Sequence, residues 1–405
     1  MELRFPLILD GAMGTELQKR GFDGGDCAER WTLEHPEALL EIQRGYVAAG
    51  SQILYAPTFG ANRVKLEAHG IFNRVTEYNK RLVALSKQAA DGKALVAGDL
   101  SPTGLFLYPL GDARFEELVE VYTEQAQALE EAGVDLFVIE TMMSVAECRA
   151  ALLAVKSVSE KPVFVTVTCD EKGRMLSGTD AAAALQILQG MGVDAFGLNC
   201  STGPREMLPT LRRLQKISRV PLIAKPNAGM PEITDAGAVY SCAPLDFAAC
   251  LEDFAAAGVM IFGGCCGTTA EHVRTLAEKA GALKMNPPSP EENGLLPCAT
   301  EKELCFLDPA VPAGTALPCD SELEDRLEEA MGEDAPLVTL EIKAEAELEN
   351  FADAQLLITK PLCIRCEDAA LLEQALRLYQ GRALYDGPLG EDVLKPLAQK
   401  YGVIY

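Results

Sequence analysis

Apolar residues in the first 280 or so positions follow two alternating patterns. Runs at residues 6–10, 52–56, 94–99, 135–140, 162–168, 194–199, 221–226 and 258–263 are short, β-branched or aromatic, and not alternating with polar residues. A strand that is apolar on both sides is buried on both sides, as in a parallel sheet covered by helices. Between the runs lie stretches with helical spacing. The stretch from Phe115 to Ala132 places Leu118, Val119, Val121, Tyr122 and Leu129 as a helix would. Such stretches end in small residues and a glycine, at Ala48-Ala49-Gly50, Glu131-Ala132-Gly133, Gly190-Met191-Gly192 and Ala256-Ala257-Gly258. Glycine there takes the left-handed turn that ends a helix.

Strand–helix alternation of this count, over about 280 residues, predicts a (β/α)8 TIM barrel. A doubly wound open sheet satisfies the same alternation. The ends of the runs favour the barrel. Asp10-Gly11, Pro57-Thr58, Asp99-Leu100-Ser101, Glu140-Thr141, Asn199-Cys200, Lys225-Pro226-Asn227 and Gly263-Gly264-Cys265 are polar or glycine-rich. So many strand ends feeding one site is what a closed ring provides.

The barrel is assigned to residues 1–284, its last helix ending near Gly281. Residues 285–298, around Asn286-Pro287-Pro288-Ser289-Pro290-Glu291-Glu292-Asn293-Gly294, have the composition of a linker. Residues 299–405 form an acidic α/β unit, with Glu322, Glu324, Asp325, Glu328, Glu329, Glu333 and Asp334 close together. A capping box at Ser321 and Glu324 is expected to open a helix. Strands are expected at 337–342, 355–358 and 361–365, an amphipathic helix from Asp368 to Tyr379, and a final strand at Val403-Ile404-Tyr405.

A net charge of −24 argues against nucleic acid and anionic membrane surfaces as partners. No run approaches the ~20 apolar residues of a membrane span. Met1-Glu2-Leu3-Arg4-Phe5 lacks the basic and apolar regions of a signal peptide, so a cytoplasmic location is expected. Thirteen cysteines in 405 residues are not a small secreted disulfide framework. Cys148, Cys169, Cys242 and Cys250 lie among apolar residues or alanines and are expected to be buried thiols. Cys200, Cys265 and Cys266 are different: glycine, asparagine and a strand end surround them.

For one cysteine alone a buried thiol is the plain reading. It does not account for a Cys-Cys pair inside Gly-Gly-Cys-Cys-Gly with a third cysteine at a matching strand end. Three thiolates are a ligand set for zinc with its fourth position open, the arrangement of a catalytic ion. Adjacent cysteines bridge only with strain, so no Cys265–Cys266 disulfide is expected. Zinc on three thiolates is a poor Lewis acid but lowers the pKa of an incoming thiol, which stays electron-rich. The expected chemistry is in-line methyl transfer to sulfur. Cys363-Ile364-Arg365-Cys366 is a lone CxxC whose cysteines face opposite sides of a strand, and it is read as structural. His35, His69 and His272 are read as structural too.

The run Leu9-Asp10-Gly11-Ala12-Met13-Gly14-Thr15-Glu16-Leu17-Gln18-Lys19-Arg20-Gly21, then Thr58-Phe59-Gly60-Ala61-Asn62, Glu140-Thr141-Met142, Gly197-Leu198-Asn199-Cys200-Ser201 and Gly263-Gly264-Cys265-Cys266-Gly267-Thr268 resemble, in order and spacing, the homocysteine S-methyltransferases. That family includes the first domain of cobalamin-dependent methionine synthase and betaine–homocysteine methyltransferase. The resemblance spans about residues 5 to 282. It implies a TIM barrel, Zn2+ on Cys200, Cys265 and Cys266, and homocysteine as the thiol that becomes methionine. It further implies that the turn Asp10, Gly11, Ala12 and Met13 holds the amino-acid end of the substrate, with Glu140 on its ammonium group. Asp99 and Asn199 are weaker candidates for the same pocket. Without the resemblance, Asp10 reads equally as a helix cap and Glu140 as a solvated strand-end acid.

Through Pro361-Leu362-Cys363-Ile364-Arg365-Cys366, the helix after it and Tyr379-Gln380-Gly381-Arg382, residues 299–405 faintly resemble the opening of the folate-binding barrel that follows this domain in cobalamin-dependent methionine synthase. They have half its length and no glycine- and asparagine-rich pterin motif. No cobalamin-binding Asp-x-His-x-x-Gly segment occurs in the chain. The methyl donor is therefore open: methylcobalamin on a separate corrinoid protein, a methylfolate-linked cobalamin system, or S-methylmethionine. Two rival readings stand beside this one, a non-catalytic zinc-binding docking module for a corrinoid protein and a methyltransferase for another thiol or selenol.

Overall fold

The computed structural model describes residues 4–405 except 109, 235, 236, 292 and 293. Met1, Glu2 and Leu3 of the N-terminal stretch, and Glu292 and Asn293 of the expected linker, lie outside the described residues. Each predicted run in the first part of the chain contains a strand: β1 (Leu7–Ile8), β2 (Ile53–Tyr55), β3 (Leu95–Leu100), β4 (Leu136–Met142), β5 (Val163–Val167), β6 (Ala195–Asn199) and β7 (Leu222–Lys225). A short antiparallel pair follows, β8 (Glu232–Thr234) and β9 (Gly237–Val239), and then β10 (Val259–Phe262). Among the described residues the parallel sheet runs β1-β10-β7-β6-β5-β4-β3-β2. A parallel bridge from Leu9 to Ile53 joins its two edges, so the sheet closes into a barrel. The glycines expected to end helices do so, with φ of 106° at Gly50, 74° at Gly133, 79° at Gly192 and 81° at Gly258.

Alternation along each strand sorts the side chains. Leu7, Leu9, Ile53, Tyr55, Ala97, Val138, Phe164, Ala195, Ile223 and Ile261 pack together inside the ring. Their neighbours Ile8, Leu54, Val96, Phe137, Ile139, Val165 and Phe196 face the helices. Two residues beyond the inner layer, on the same side of their strands, stand Asp99, Glu140 and Lys225, with Asn199 level with Lys225.

The C-terminal region has its own parallel sheet, β13 (Ala316–Pro318), β14 (Val338–Glu341), β15 (Leu362–Arg365) and β16 (Leu384–Tyr385), preceded by a hairpin of β11 (Leu296–Ala299) and β12 (Leu304–Leu307). β11 begins inside the stretch expected to be linker. The hairpin covers one face of the sheet: Leu296, Cys298, Cys305 and Leu307 pack with Leu337, Cys363 and Leu384. Ile404 pairs with Leu384, so the expected final strand is a single bridge.

Three expectations fail here. Residues Ala354–Leu357 form a 3-10 turn rather than a strand, because the chain continues directly from the helix Glu347–Asp353. The helix Leu323–Gly332 starts at Glu322 with no side-chain cap, so Ser321 and Glu324 form no capping box; Asp320 Oδ1 instead accepts from the Glu322 N–H at 3.0 Å. Cys148 and Cys250 are buried, but Cys169 and Cys242 are only half-buried, since both lie in loops at the barrel mouth.

The two regions share a wide contact. The helices Val145–Val158 and Ala181–Gly190 on the outside of the barrel are buried along nearly their whole length. Arg149, fully buried, donates to Leu376 O at 2.9 Å, Arg377 O at 3.3 Å and Gln380 Oε1 at 2.8 Å, the last turn and exit of the helix Ala369–Leu378. A bidentate pair between Arg377 and Glu116 adds to it. Among the described residues no helix is long and apolar enough to cross a membrane.

Candidate metal centre and amino-acid pocket

Cys200 follows β6 and Cys265 and Cys266 follow β10, and β7 lies between those two strands. The chain leaving β7 holds both cysteine-bearing ends. Lys225 O accepts from Cys200 N at 3.2 Å, Pro226 O accepts from Cys265 N at 2.8 Å, and Ala228 N donates to Cys266 O at 2.9 Å. Thr268 ties the turn to the N-terminal strand, donating through Oγ1 to Cys265 O at 2.7 Å and accepting from Ala12 N at 3.0 Å. Gly264 is required by this contact, since a Cβ there would lie 2.4 Å from Thr268 Oγ1. Thr141, Cys200 and Ser201 carry φ of 60°, 59° and 57°, left-handed values that non-glycine residues hold only when their surroundings impose them.

The three sulfurs lie within 4.8 Å of one another, Cys200 and Cys266 at 4.0 Å. Around a tetrahedral zinc with Zn–S near 2.3 Å, sulfurs stand about 3.8 Å apart. The spacing therefore suits the ion. Crowding shows in the thiols. The Cys265 thiol is pushed well up, first by its contact with Cys200 and also by burial. Its hydrogen bond with Cys200 lowers the Cys266 thiol, but Cys265 and burial outweigh it and hold Cys266 at about 11. A dication among the three would reverse this and deprotonate them. Asn199 Nδ2 approaches Cys265 Sγ at 3.9 Å while the same side chain grips Thr141 through N–H and Oγ1 at 2.9 and 2.7 Å.

Inside the ring sits a second cluster. Lys225 Nζ lies 3.4 Å from Asp10 Oδ1, 3.7 Å from Glu140 Oε2 and 4.2 Å from the centre of the Tyr55 ring. Asp10 does not cap a helix; its Oδ2 accepts from Tyr55 N at 2.8 Å. Glu140 is buried rather than solvated. Burial raises the Asp10 carboxyl to about 6 against the pull of Lys225, and burial together with Glu140 raises Asp99 well above the carboxylate range. Burial opposes the Lys225 ammonium, but Glu140 and Asp10 overcome it and keep it firmly charged. Among the described residues, Asp99 Oδ1 and the Tyr55 hydroxyl have no hydrogen-bond partner, and Asp10 Oδ1 and Glu140 Oε2 have only the ion pair to Lys225. Three acids facing one lysine, with acceptor atoms left over, leave room for one more cation.

The structure thus brings Asp10, Asp99 and Glu140 around Lys225, and Asn199 between them and the sulfurs. Ala12 N is already bonded to Thr268, so of the Asp10–Met13 turn that N–H is not free for a carboxylate. Lys225, Tyr55 and Tyr240, whose hydroxyl hydrogen-bonds the Cys266 thiol, were missed as site residues. For Lys225 a signal existed. It stands two residues after inward Ile223, as Glu140 does after Val138 and Asp99 after Ala97. Tyr240 lies in a loop, where no periodicity marks direction.

The model of the homocysteine S-methyltransferase family matches residues 7–280. Methionine synthases of Mycobacterium leprae (strain TN) and Mycobacterium tuberculosis (strain ATCC 25618 / H37Rv) are each 35% identical, over 291 and 298 residues, or 67% and 69% of this chain. The chain spans about a quarter of those relatives, 24% and 25% of their lengths. The homocysteine methyltransferase MmuM from Escherichia coli in its metallated form aligns with a TM-score of 0.58 at 25% identity, covering 67% of this chain and 96% of that one.

Proposed function

The chain belongs to the homocysteine S-methyltransferase family, and on that premise we propose that it transfers a methyl group to the thiol of homocysteine to form methionine, with zinc held by Cys200, Cys265 and Cys266. The observation that carries this reading is the meeting of three sulfurs from two strand ends, within 4.8 Å, above a buried pocket short of one cation. Zinc on three thiolates would supply a place where a thiol binds as thiolate and remains nucleophilic. The chain's own residues would do the rest. Glu140 Oε2 and Asp10 Oδ1 accept hydrogen bonds from the homocysteine ammonium. Lys225 keeps those two carboxylates ionised and in place. Asn199 spans the ammonium pocket and the sulfurs, so its amide fixes the distance between the two ends of the substrate. Tyr240 closes over Cys266 from the loop after β9.

The donor enters from the mouth. Phe106, Tyr108 and Leu110 in the loop after β3, Met230 in the loop after β7 and Val239 in β9 are large apolar side chains exposed there. A rim of that kind suits a donor presented by a second macromolecular surface, so methylcobalamin on a corrinoid protein is preferred to a free sulfonium. Residues 299–405 are proposed as a separate folding element clasped to the barrel rather than a donor-binding domain. The test is metal content with a donor panel. One zinc per chain is expected, with methionine formed from homocysteine and protein-bound methylcobalamin faster than from S-methylmethionine or betaine. Zinc without product from any donor would favour the docking-module reading. Product from another thiol at equal efficiency would remove homocysteine as the substrate.

A further inference from the structure

The hairpin that precedes the second sheet carries two cysteines the function above does not use. Cys298 in β11 and Cys305 in β12 are directly opposed in the antiparallel register. Directly opposed residues share one face, with Cα atoms about 4.5–5.5 Å apart. A disulfide spans Cα separations of about 4.4–6.8 Å. The register therefore places the pair within the range a disulfide spans. Cys298 Sγ already reaches toward its partner strand, 3.7 Å from Cys305 O.

The two thiols are unequal. Cys298 is fully buried and Cys305 half-buried. Hydrogen bonding from Cys298 lowers the Cys305 thiol, while the other twelve cysteines are pushed up, mostly by burial. Being the more exposed of the two, Cys305 is the attacking sulfur and Cys298 the resolving one.

The hairpin also holds the two regions together. Its tip grips the barrel-mouth loop between β5 and the helix Ala181–Gly190. Asp180 N donates to Lys302 O at 2.9 Å, Lys302 Nζ to Ser177 O at 2.8 Å, and Arg174 pairs with Glu303 at 2.7 Å. Right beside the tip, at the end of β11, the hairpin holds the second region, where Arg382 N, just before β16, donates to Ala299 O at 2.8 Å. The gripped loop begins at Thr168, which hydrogen-bonds Ser201 beside Cys200.

We propose that Cys298 and Cys305 form a reversible redox site, a disulfide that locks this strap between the second sheet and the mouth loop. The co-reactant is a small-molecule disulfide. The Cys305 thiolate attacks one of its sulfurs and expels a thiolate. Cys298 then loses its proton to that leaving thiolate and attacks the Cys305 sulfur, expelling the second thiolate. Two protein thiols and one disulfide become one protein disulfide and two small thiols.

The test equilibrates the zinc-loaded full chain with oxidised glutathione and digests it with trypsin. Cleavage after Lys302 separates the two cysteines, so the disulfide appears as linked peptides two hydrogens lighter than the reduced pair, and fragmentation places the bond on Cys305 rather than on Cys319 of the same peptide. That link should form first, and Cys298→Ser should instead accumulate glutathione on Cys305. In the unmodified chain Cys305 should alkylate at least roughly tenfold faster than half-buried Cys242. On oxidation the Asp180 amide should exchange several-fold more slowly. A Cys298–Cys363 link in place of the expected one, or Cys305 alkylating no faster than Cys242, would overturn the proposal.

Discussion

The barrel and the region after it repeat the same unit, a parallel strand followed by a helix, yet the inner faces of their sheets are filled in opposite ways. In the barrel the ring closes on itself through Leu9 and Ile53, and only the lower layer of its interior is apolar. The upper layer is Asp99, Glu140, Asn199 and Lys225, with acceptor atoms that make no hydrogen bond among the described residues. In the second sheet the matching face is covered by the chain's own hairpin, Leu296, Cys298, Cys305 and Leu307 against Cys363 and Leu384. One sheet keeps a charged, unsatisfied pocket; the other satisfies itself with hydrocarbon. Unsatisfied buried polarity costs stability and is kept where a ligand supplies the missing partner. The second sheet contributes differently, by covering barrel helices that are buried along nearly their whole length.

Breaking the pocket should have the largest effect. Cys265→Ser should lose its zinc and lower methyl transfer by more than the roughly 100-fold typical of outer-shell changes; metal analysis and single-turnover assays check both, and full zinc retention would remove Cys265 from the site. Breaking the cover comes next. Removing residues 290–405 exposes Arg149 and the apolar flanks of two helices, and should cost roughly 4 kcal/mol or more, lowering Tm by about 10 °C or causing aggregation. A barrel that melts unchanged would show the cover to be dispensable. Lys225→Met leaves Asp10 and Glu140 buried without their cation, and should cost about 3–5 kcal/mol in denaturant unfolding.

Acidity sharpens the same contrast. Asp10, raised to about 6 chiefly by burial, must be ionised to hold an ammonium group. Homocysteine binding should weaken as pH falls through about 6, by up to about tenfold per unit, whereas a thiol lacking the amino group should show only the loss that follows thiolate protonation at the metal. Stability of the free chain moves the other way at this residue. A carboxyl whose folded pKa is raised stabilises the fold at low pH and ceases to as pH rises through about 6, a slope that Asp10→Asn should remove. The smallest effect belongs to the helix Leu323–Gly332. Ser321→Ala should change stability by less than about 0.5 kcal/mol, because no capping box forms there.

Much of the barrel was legible in the sequence because it rests on local rules. Strand runs, helical spacing and the glycines at 50, 133, 192 and 258 are set by neighbours a few residues apart, and the structure places them as read. The three cysteines were legible for the same reason, each standing just past a strand. Local rules misled at 354–357, where an apolar stretch continues a helix as a 3-10 turn, and at Ser321, where the cap pattern occurs but the helix begins later. What only the tertiary structure decided lies far apart in the chain. Lys225 meets Asp10 and Glu140 because the ring closes, and no window of sequence contains all three. Arg149 meets Leu376, and Cys298 and Cys305 meet Cys363, because one region packs on another. Backbone preference acts over one turn or one strand, so sequence determined the elements and the strand-end thiols. Charge compensation and burial act through space, so which buried acid faces which cation, and which sheet face is sealed, was settled only when the chain closed.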